Sequence, residues 1–311
     1  MSTRELRTMT YQSADRIARI TLNRPQRGNS ITFEMPQELA ACVERANLDP
    51  SVHVIALSGN GKGFCGGYDL GHAEDDPSQV GYAAGEDAPL PPGSPLDPQV
   101  VLRNHDPRRT WDPMLDYAMM SRNLRGFMSL FHSDKPVIVK IHGFCVGGGS
   151  DMALCADLLV VADDAKIGYP PARVWGCPTS AMWVYRIGME RTKRLLFTGD
   201  CLSGKEAKEW GLAIESAPAS ELDARFEALL ERIARLPVNQ LMMMKLMINQ
   251  SVVSQGLFTS QTLGTVFDGI TRHTPEGYGF SARASEVGFR QAVRERDQPF
   301  GDAGPSTYKG G

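Results

Sequence analysis

The fold is decided by residues 136–155, which read PVIVKIHGFCVGGGSDMALC. The stretch opens with a short apolar run, Pro136–Ile141, that predicts a buried strand. Three glycines at 147–149 follow, and then Ser150–Cys155, which predicts a helix. A similar apolar run at residues 52–57 leads into an earlier glycine-rich turn at 61–66, and a third run at 158–162 predicts another strand. Because strand, glycine turn and helix recur, we expect an α/β fold in which the strands of successive units stack.

The sequence around these units predicts further elements and a change of class. Residues 9–22 predict a hairpin with its polar turn at 13–15, Thr32–Ala46 predicts a helix with Thr32 as its N-cap, and 115–132 predicts another helix. Beyond about Leu222 only helices are expected, at 222–236, 237–254, 256–271 and 282–294. We therefore expect a core over 1–218 and a C-terminal helical region over 219–311.

The segment 73–110 differs from the rest of the core. Its 38 residues include seven of the chain's 20 prolines, and no helix or strand period is visible in it. A long segment of this kind inside a compact domain is usually functional or disordered. We interpret it as an insertion, and two hypotheses stay open: a lid over a substrate pocket, or a solvated surface loop.

Composition excludes several classes of protein. A net charge of −3 over 311 residues gives no general attraction to nucleic acid or to an anionic membrane. No apolar run approaches the ~18 residues of a membrane span, and the N-terminus lacks the apolar core of a signal peptide, so we expect a cytoplasmic protein. The six cysteines are scattered without a CxxC pair, which argues against a disulfide framework and against a zinc site.

The two glycine turns are the first candidates for chemistry. The turn at 61–66 formally fits the dinucleotide pattern GxGxxG, but the proline-rich insertion occupies the region where that fold needs a second strand and an acid. The turn at 147–149 leaves backbone N–H groups bare before a helix, where they can stabilise an oxyanion. Asp151 lies in the first turn of that helix, where it either complements the helix dipole or takes part in catalysis.

Taken together, the motifs resemble those of the crotonase (enoyl-CoA hydratase/isomerase) superfamily. The resemblance rests on residues 63–70 (GFCGGYDL), 135–143 (KPVIVKIHG) and 147–157 (GGGSDMALCAD), supported by 23–25 with 29–30 and by 196–200. It implies a spiral of ββα units followed by helices that build a homotrimer or a hexamer, that is, a dimer of trimers. It also implies an acyl-CoA substrate, as in fatty acid metabolism, with coenzyme A as part of the substrate and no metal or redox cofactor.

The resemblance also implies where the site lies. The backbone N–H groups of Tyr68 and Gly148 would form the oxyanion hole, next to Gly67 and Gly147, and Asp151 stands where family hydratases carry a glutamate. Pro171 occupies the place of their second glutamate. A further position, at which related dienoyl-CoA isomerases hold an aspartate, falls at about Thr179.

With one carboxylate missing, other residues are candidates for proton transfer or for lining the pocket. They are Asp69, His72, Glu74, Asp112, Tyr117 and Tyr169. Lys245 is a candidate for contacting a phosphate of coenzyme A. We predict hydration or isomerisation of an enoyl-CoA with Asp151 as acid and base. The alternatives are a hydrolase of acyl-CoA or β-diketone type on the same fold, and a catalytically weakened acyl-CoA-binding protein.

Overall fold

A computed structural model describes residues 3–69 and 92–301. A seven-stranded sheet has the order β1-β2-β3-β4-β5-β7-β10, and a three-stranded sheet has the order β6-β8-β9. The strands are β1 (Arg4–Glu5), β2 (Met9–Ala14), β3 (Ile17–Leu22), β4 (Val54–Gly59), β5 (Val137–Ile141), β6 (Phe144–Val146), β7 (Leu158–Ala162), β8 (Lys166–Gly168), β9 (Cys201–Leu202) and β10 (Glu215–Ala217).

Helices cover the sheets and form the C-terminal part of the described chain. They are α1 (Met35–Leu48), α2 (Pro98–Asn104), α3 (Pro113–His132), α4 (Gly148–Leu154), α5 (Met182–Ile187), α6 (Met189–Thr198), α7 (Gly204–Glu209), α8 (Ala219–Ala234), α9 (Val238–Val253), α10 (Leu257–Arg272), α11 (Pro275–Val287) and α12 (Phe289–Asp297). None of the helices within the described ranges is long and apolar enough to cross a bilayer.

The central strands confirm the α/β prediction. β3, β4, β5, β7 and β10 are parallel neighbours, with Ile55 opposite Val137 and Ile138 opposite Leu158. Strands buried on both faces need apolar side chains on both faces, which is why these segments are continuous apolar runs. Their parallel arrangement brings the carboxyl ends of β4 and β5, and the glycine turns that follow them, to the same edge of the sheet.

Several element boundaries differ from the prediction. The hairpin turns at Asp15 and Arg16, which both have positive φ, rather than at 13–15. α1 has Glu34 and not Thr32 at its N-cap, because the chain enters the helix with Pro36 in the first turn. The helix predicted over 282–294 is two helices, since Gly288 adopts φ +82° between them.

The described part of the insertion, 92–110, is not without structure. It contains α2, whose first turn is capped by Asp97, the carboxylate of which accepts the Gln99 N–H at 2.9 Å. Leu96 is buried and packs with Met119 and Met120 of α3. The prediction of a segment without helix is therefore wrong for residues 98–104. Residues 73–91 lie outside the described residues, as do the candidates His72 and Glu74.

Lys245 of α9 stabilises the fold and is not available to a phosphate. Its Nζ is buried, lies 2.8 Å from the Asp157 carboxylate, and donates to the carbonyl oxygens of Leu130 at 2.8 Å and Lys135 at 3.1 Å. A cation with these partners joins α9 to the core. The hypothesis that Lys245 contacts coenzyme A is wrong.

Candidate active site

The two glycine turns lie against each other. The first turn is held on β6, because Cys65 N–H donates to Phe144 O and Val146 N–H donates to Cys65 O, both at 3.1 Å. Gly67 has φ +98°, and a Cβ atom there would lie 3.2 Å from Val146 O and 3.6 Å from Gly148 N. The backbone of residues 67–68 therefore adjoins the N-terminus of α4.

Two backbone N–H groups at this junction point away from their neighbouring strand or helix. Ile31 N–H donates to Gly67 O at 2.8 Å and Asp69 N–H donates to Ile31 O at 2.9 Å, so the intervening Tyr68 N–H is directed to the opposite side. α4 begins at Gly148, two residues earlier than predicted, and the first N–H groups of a helix have no acceptor within it. Both predicted oxyanion-hole donors are thus brought together.

The second turn requires glycine at all three positions, because of its backbone conformation at Gly147 and because neighbouring atoms lie close to Gly148 and Gly149. Gly147 has φ +56° and ψ −129°, a conformation that only glycine adopts readily. A Cβ on Gly148 would lie 2.6 Å from Tyr68 Cε2, and one on Gly149 would lie 2.6 Å from Cys65 O. The Tyr68 ring therefore packs directly over the backbone of Gly148.

Asp151, in the same helix, has its carboxylate buried rather than on the helix surface. Oδ1 accepts the Ser180 hydroxyl at 2.6 Å and the Ser180 N–H at 3.3 Å, and Oδ2 accepts the Thr179 N–H at 3.2 Å. Burial raises the pKa of Asp151 to about 7, against the opposing effect of these three donors. Such a carboxyl can take up and release a proton near neutral pH.

The segment 176–180, which carries the donors to Asp151, is supported along its length by α10. Gln261 Nε2 donates to Ser180 O at 3.1 Å, and the Asp268 carboxylate accepts the Cys177 N–H at 3.3 Å. A Cβ on Gly264 would lie 2.9 Å from the Pro178 carbonyl oxygen, so the helix backbone itself touches this segment. The sequence analysis missed this role. The one available signal was the spacing of polar residues and glycine at 261, 264 and 268 on one face of an apolar helix.

Asp268 is a second buried carboxyl near the site. Its partner is Arg272, which also lies 3.3 Å from Asp116. A Cβ on Gly176 would lie 3.5 Å from Asp268 Oδ1 and 3.3 Å from the Tyr169 hydroxyl. Burial raises the pKa of Asp268, and its charge contributes to the raised pKa of Asp151.

The other predicted residues have different positions. Asp69 forms an ion pair with Arg24 at 2.8 Å, and Asp112 caps α3 by accepting the Met114 N–H at 2.9 Å, so both carboxylates have structural partners. Tyr117 lies half-buried in α3. None of these three carries an observation that joins it to Asp151.

Tyr169 and Pro171 do border the glycine turn. Pro171 Cγ lies 3.4 Å from the position that a Cβ on Gly147 would occupy. Tyr169 is buried, and burial raises the pKa of its phenol well above the usual value, so the hydroxyl stays protonated. Within the described ranges, no cluster of three or more His, Cys, Asp or Glu side chains is placed to hold a metal ion.

The fold and the site have three features in common with one class of enzyme. The sheet is largely parallel, two adjoining glycine turns follow its strands, and the helix after the second turn carries a buried carboxyl. The sequence profile of the enoyl-CoA hydratase/isomerase family matches residues 12–86 and 113–275. The chain therefore belongs to this family of acyl-CoA enzymes, and its fold is the crotonase fold.

Individual relatives agree with this assignment. A crystal structure of an enoyl-CoA hydratase from Mycobacterium smegmatis is 55% identical, superposes with a TM-score of 0.90, and is matched over 98% of each chain. EchA13 of Mycobacterium tuberculosis, provisionally named an enoyl-CoA hydratase, is 31% identical over 81% of this chain and 77% of its own. The 1,2-epoxyphenylacetyl-CoA isomerase of Escherichia coli K12 is 28% identical over 75% of this chain and 78% of its own.

Proposed function

We propose that this protein catalyses the reversible hydration of an enoyl-CoA thioester through an enolate, with Asp151 moving the protons. The observation that carries the proposal is the placement of three groups at one junction: the N–H groups of Tyr68 and Gly148 and the carboxyl of Asp151. The first two adjoin each other, because a Cβ on Gly67 would lie 3.6 Å from Gly148 N. The third is buried, with a pKa of about 7.

The two N–H groups bind the thioester oxygen. As water adds to Cβ, the electrons of the Cα–Cβ double bond move toward the thioester, and its oxygen gains negative charge. A fixed N–H donor aimed at such an oxygen is worth roughly 2.7–4 kcal/mol in the transition state. Because both donors are backbone groups held by glycine turns, they need no rearrangement during the reaction.

Asp151 supplies the proton steps in sequence. Its carboxylate accepts a proton from water as the oxygen bonds to Cβ, and the resulting carboxylic acid then gives a proton to Cα of the enolate. One O–H bond and the Cα–Cβ double bond are consumed, a Cβ–O and a Cα–H bond form, and Asp151 returns to its initial state. No cofactor is needed for this chemistry, since only water and protons move, and coenzyme A enters as part of the substrate.

Isomerisation is the second candidate, and Pro171 favours it. A proline cannot act as an acid where family hydratases hold their second glutamate. A single carboxyl can still move a proton between Cα and Cγ. In both reactions the thioester oxygen gains negative charge in the same oxyanion hole, as a 3-hydroxyacyl enolate in hydration and as a dienolate in isomerisation.

We also propose assembly as a homotrimer or a dimer of trimers. The support is a set of large apolar side chains that are 48–73% exposed on α9 and α10: Met243, Leu246, Met247, Phe258 and Phe267. Apolar exposure of this extent marks an interaction surface. Light scattering of the purified protein would test this, and a monomer would contradict it.

A substrate panel tests the reaction. The protein is incubated with enoyl-CoAs and β-ketoacyl-CoAs of several acyl-chain lengths. The products are separated by chromatography, and their masses are measured by mass spectrometry. We expect gain of one water by an enoyl-CoA. A shift of the double bond without gain of mass supports isomerisation instead. Release of free coenzyme A, or binding without any turnover, would contradict the proposal in favour of a hydrolase or a binding protein.

A further inference from the structure

Two buried hydroxyl groups close to Asp151 have no hydrogen-bond partner among the described residues. They are the phenol oxygen of Tyr68 and Oγ1 of Thr179, whose residue is 1% exposed. Buried polar groups in folded proteins are almost always hydrogen-bonded, and leaving one unpaired costs about 1–3 kcal/mol. A pair of such groups at a candidate active site points to a ligand atom that satisfies them.

The geometry directs both hydroxyls to the same place. The Thr179 N–H donates to Asp151 Oδ2 at 3.2 Å, so the side chain of Thr179 starts beside the carboxyl. The Tyr68 ring packs over Gly148, three residues before Asp151 in the chain and in the same helix. The two hydroxyls approach one another without the geometry of a hydrogen bond between them.

The chemistry of the pair selects an uncharged oxygen. Burial raises the pKa of Tyr68 well above its usual value, so the phenol stays neutral, and the threonine hydroxyl can both donate and accept. The carboxyls of Asp151 and Asp268 make the surroundings unfavourable for an anion. Water or an alcohol, which also donates and accepts, fits the two groups and the nearby carboxylate.

We propose that the hydroxyls of Tyr68 and Thr179 bind the oxygen at Cβ of the acyl chain: the water that adds to an enoyl-CoA, or the 3-hydroxyl group of the product. The inference rests on the proposed function, because it assumes the thioester oxygen in the adjoining oxyanion hole.

The test uses matched hydroxyl deletions. Tyr68→Phe and Thr179→Val remove the two groups, and Thr179→Ser retains one. The chain offers close controls in Tyr11 of β2 and Thr192 of α6, whose hydroxyls are also buried without a partner in the described structure but lie in elements outside the site. Tyr11→Phe and Thr192→Val therefore report the cost of losing a buried hydroxyl as such.

The readout is the ratio of dissociation constants for butanoyl-CoA and 3-hydroxybutanoyl-CoA, measured by calorimetry, together with the hydration rate. The wild-type protein and both controls should bind the hydroxylated ligand about tenfold more tightly or better. Tyr68→Phe and Thr179→Val should bring this ratio to about one and lower kcat for hydration by about 30-fold or more. Thr179→Ser should keep most of the preference. The controls Tyr11→Phe and Thr192→Val should exchange the Cα proton of butanoyl-CoA within about threefold of wild type, and in Tyr68→Phe and Thr179→Val hydration should fall at least about tenfold more than this exchange does.

The possible failures are distinguishable. A wild-type ratio of about one, or an unchanged ratio in Tyr68→Phe and Thr179→Val, overturns this inference and leaves the proposed function standing if the panel shows hydration. Equal losses of hydration and of Cα exchange also overturn it, because the hydroxyls would then act on the whole site and not on the β-oxygen. If the wild-type protein binds no acyl-CoA at all, the proposed function fails and this inference fails with it.

Discussion

Replacing Asp151 by asparagine removes the only proton carrier in the proposed mechanism and, at nearly constant shape, replaces the Oδ2 acceptor of the Thr179 N–H by an amide nitrogen. Asparagine has nearly the same shape, and its side-chain oxygen can still accept the Ser180 hydroxyl that now lies 2.6 Å from Oδ1. General acid–base catalysis by one group typically contributes 10²–10⁴-fold. Because Asp151 acts in both proton steps, we expect kcat to fall by about 10³-fold or more. The dissociation constant for acyl-CoA should change less than about threefold, since the donors at Tyr68 and Gly148 are backbone groups.

The pH dependence gives the same residue an independent test. Hydration begins from the carboxylate, and the pKa of Asp151 is raised to about 7. The wild-type kcat/KM should therefore rise with pH and level off above about pH 7, with only about a tenth of the plateau left at pH 6. A carboxyl at its usual pKa of about 3.9 would leave the rate flat over this range.

Stability should show the opposite trend. A folded-state pKa above the unfolded value means that the folded protein binds the proton more tightly, so stability is lost as the pH rises from about 4 to 7. Wild type should lose roughly 1.4 kcal/mol of unfolding free energy per pH unit across this window relative to Asp151→Asn. Denaturant titration at pH 5, 6 and 7 measures this difference.

The matched control is Asp164→Asn, because Asp164 is an exposed acid in the turn after β7. It should retain wild-type kcat, pH profile and stability. An Asp151→Asn variant within tenfold of wild-type kcat, or a wild-type profile that stays flat down to pH 5, would refute the acid–base assignment.

Three further predictions concern the surroundings of the carboxyl. Gly148→Ala should lower kcat at least about 100-fold, because the new methyl group would lie 2.6 Å from the Tyr68 ring. The control is Gly279→Ala on α11, where the new methyl group would have no atom within 4 Å; this variant should be active and about 0.5–1 kcal/mol more stable. Gly264→Ala on α10 should push against the Pro178 carbonyl at 2.9 Å and lower kcat while acyl-CoA affinity is kept; equal kcat in steady-state assays would contradict the support by α10. Leu96→Ala should raise the kcat/KM ratio of long to short acyl-CoAs several-fold, because Tyr68 packs against the cluster that Leu96 forms with Met119 and Met120. The 60% exposed Leu102 on the same segment can be changed to Ala without effect, and an unchanged ratio for Leu96→Ala would favour a plain surface loop.

Local sequence patterns were sufficient to predict the hairpin, the three central strands and the glycine turns, but not the short strands β1, β6, β8, β9 and β10. β4, β5 and β7 are buried almost throughout, and their short, continuous apolar runs bounded by turn residues are typical of strands covered on both faces. Gly147, Gly148 and Gly149 are required by backbone conformation and close approach, and glycine is the residue that such positions demand. These features are properties of single segments, which is why they are readable without a structure.

Long-range contacts could not be predicted in the same way. Gln261 holds the Ser180 carbonyl across 81 residues of sequence, and nothing in the local pattern of an amphipathic helix indicates which loop it supports. Asp112 is a different case, because an acid directly before Pro113 at a helix start is a recognisable N-cap, and that signal would have excluded it as a catalytic candidate. Side chains that meet only in the folded chain therefore account for most of what was missed at the site.

Exchange of the Cα protons of a saturated acyl-CoA in D₂O tests the enolate mechanism most directly, because it requires the oxyanion hole and Asp151 but no double bond or water addition. With wild-type protein, mass spectrometry should show deuterium entering Cα of butanoyl-CoA at a rate proportional to enzyme concentration. Asp151→Asn should bind the same ligand and show exchange at least about 100-fold slower. Equal exchange in the two proteins, or no exchange by a wild-type protein that hydrates enoyl-CoA, would contradict the mechanism.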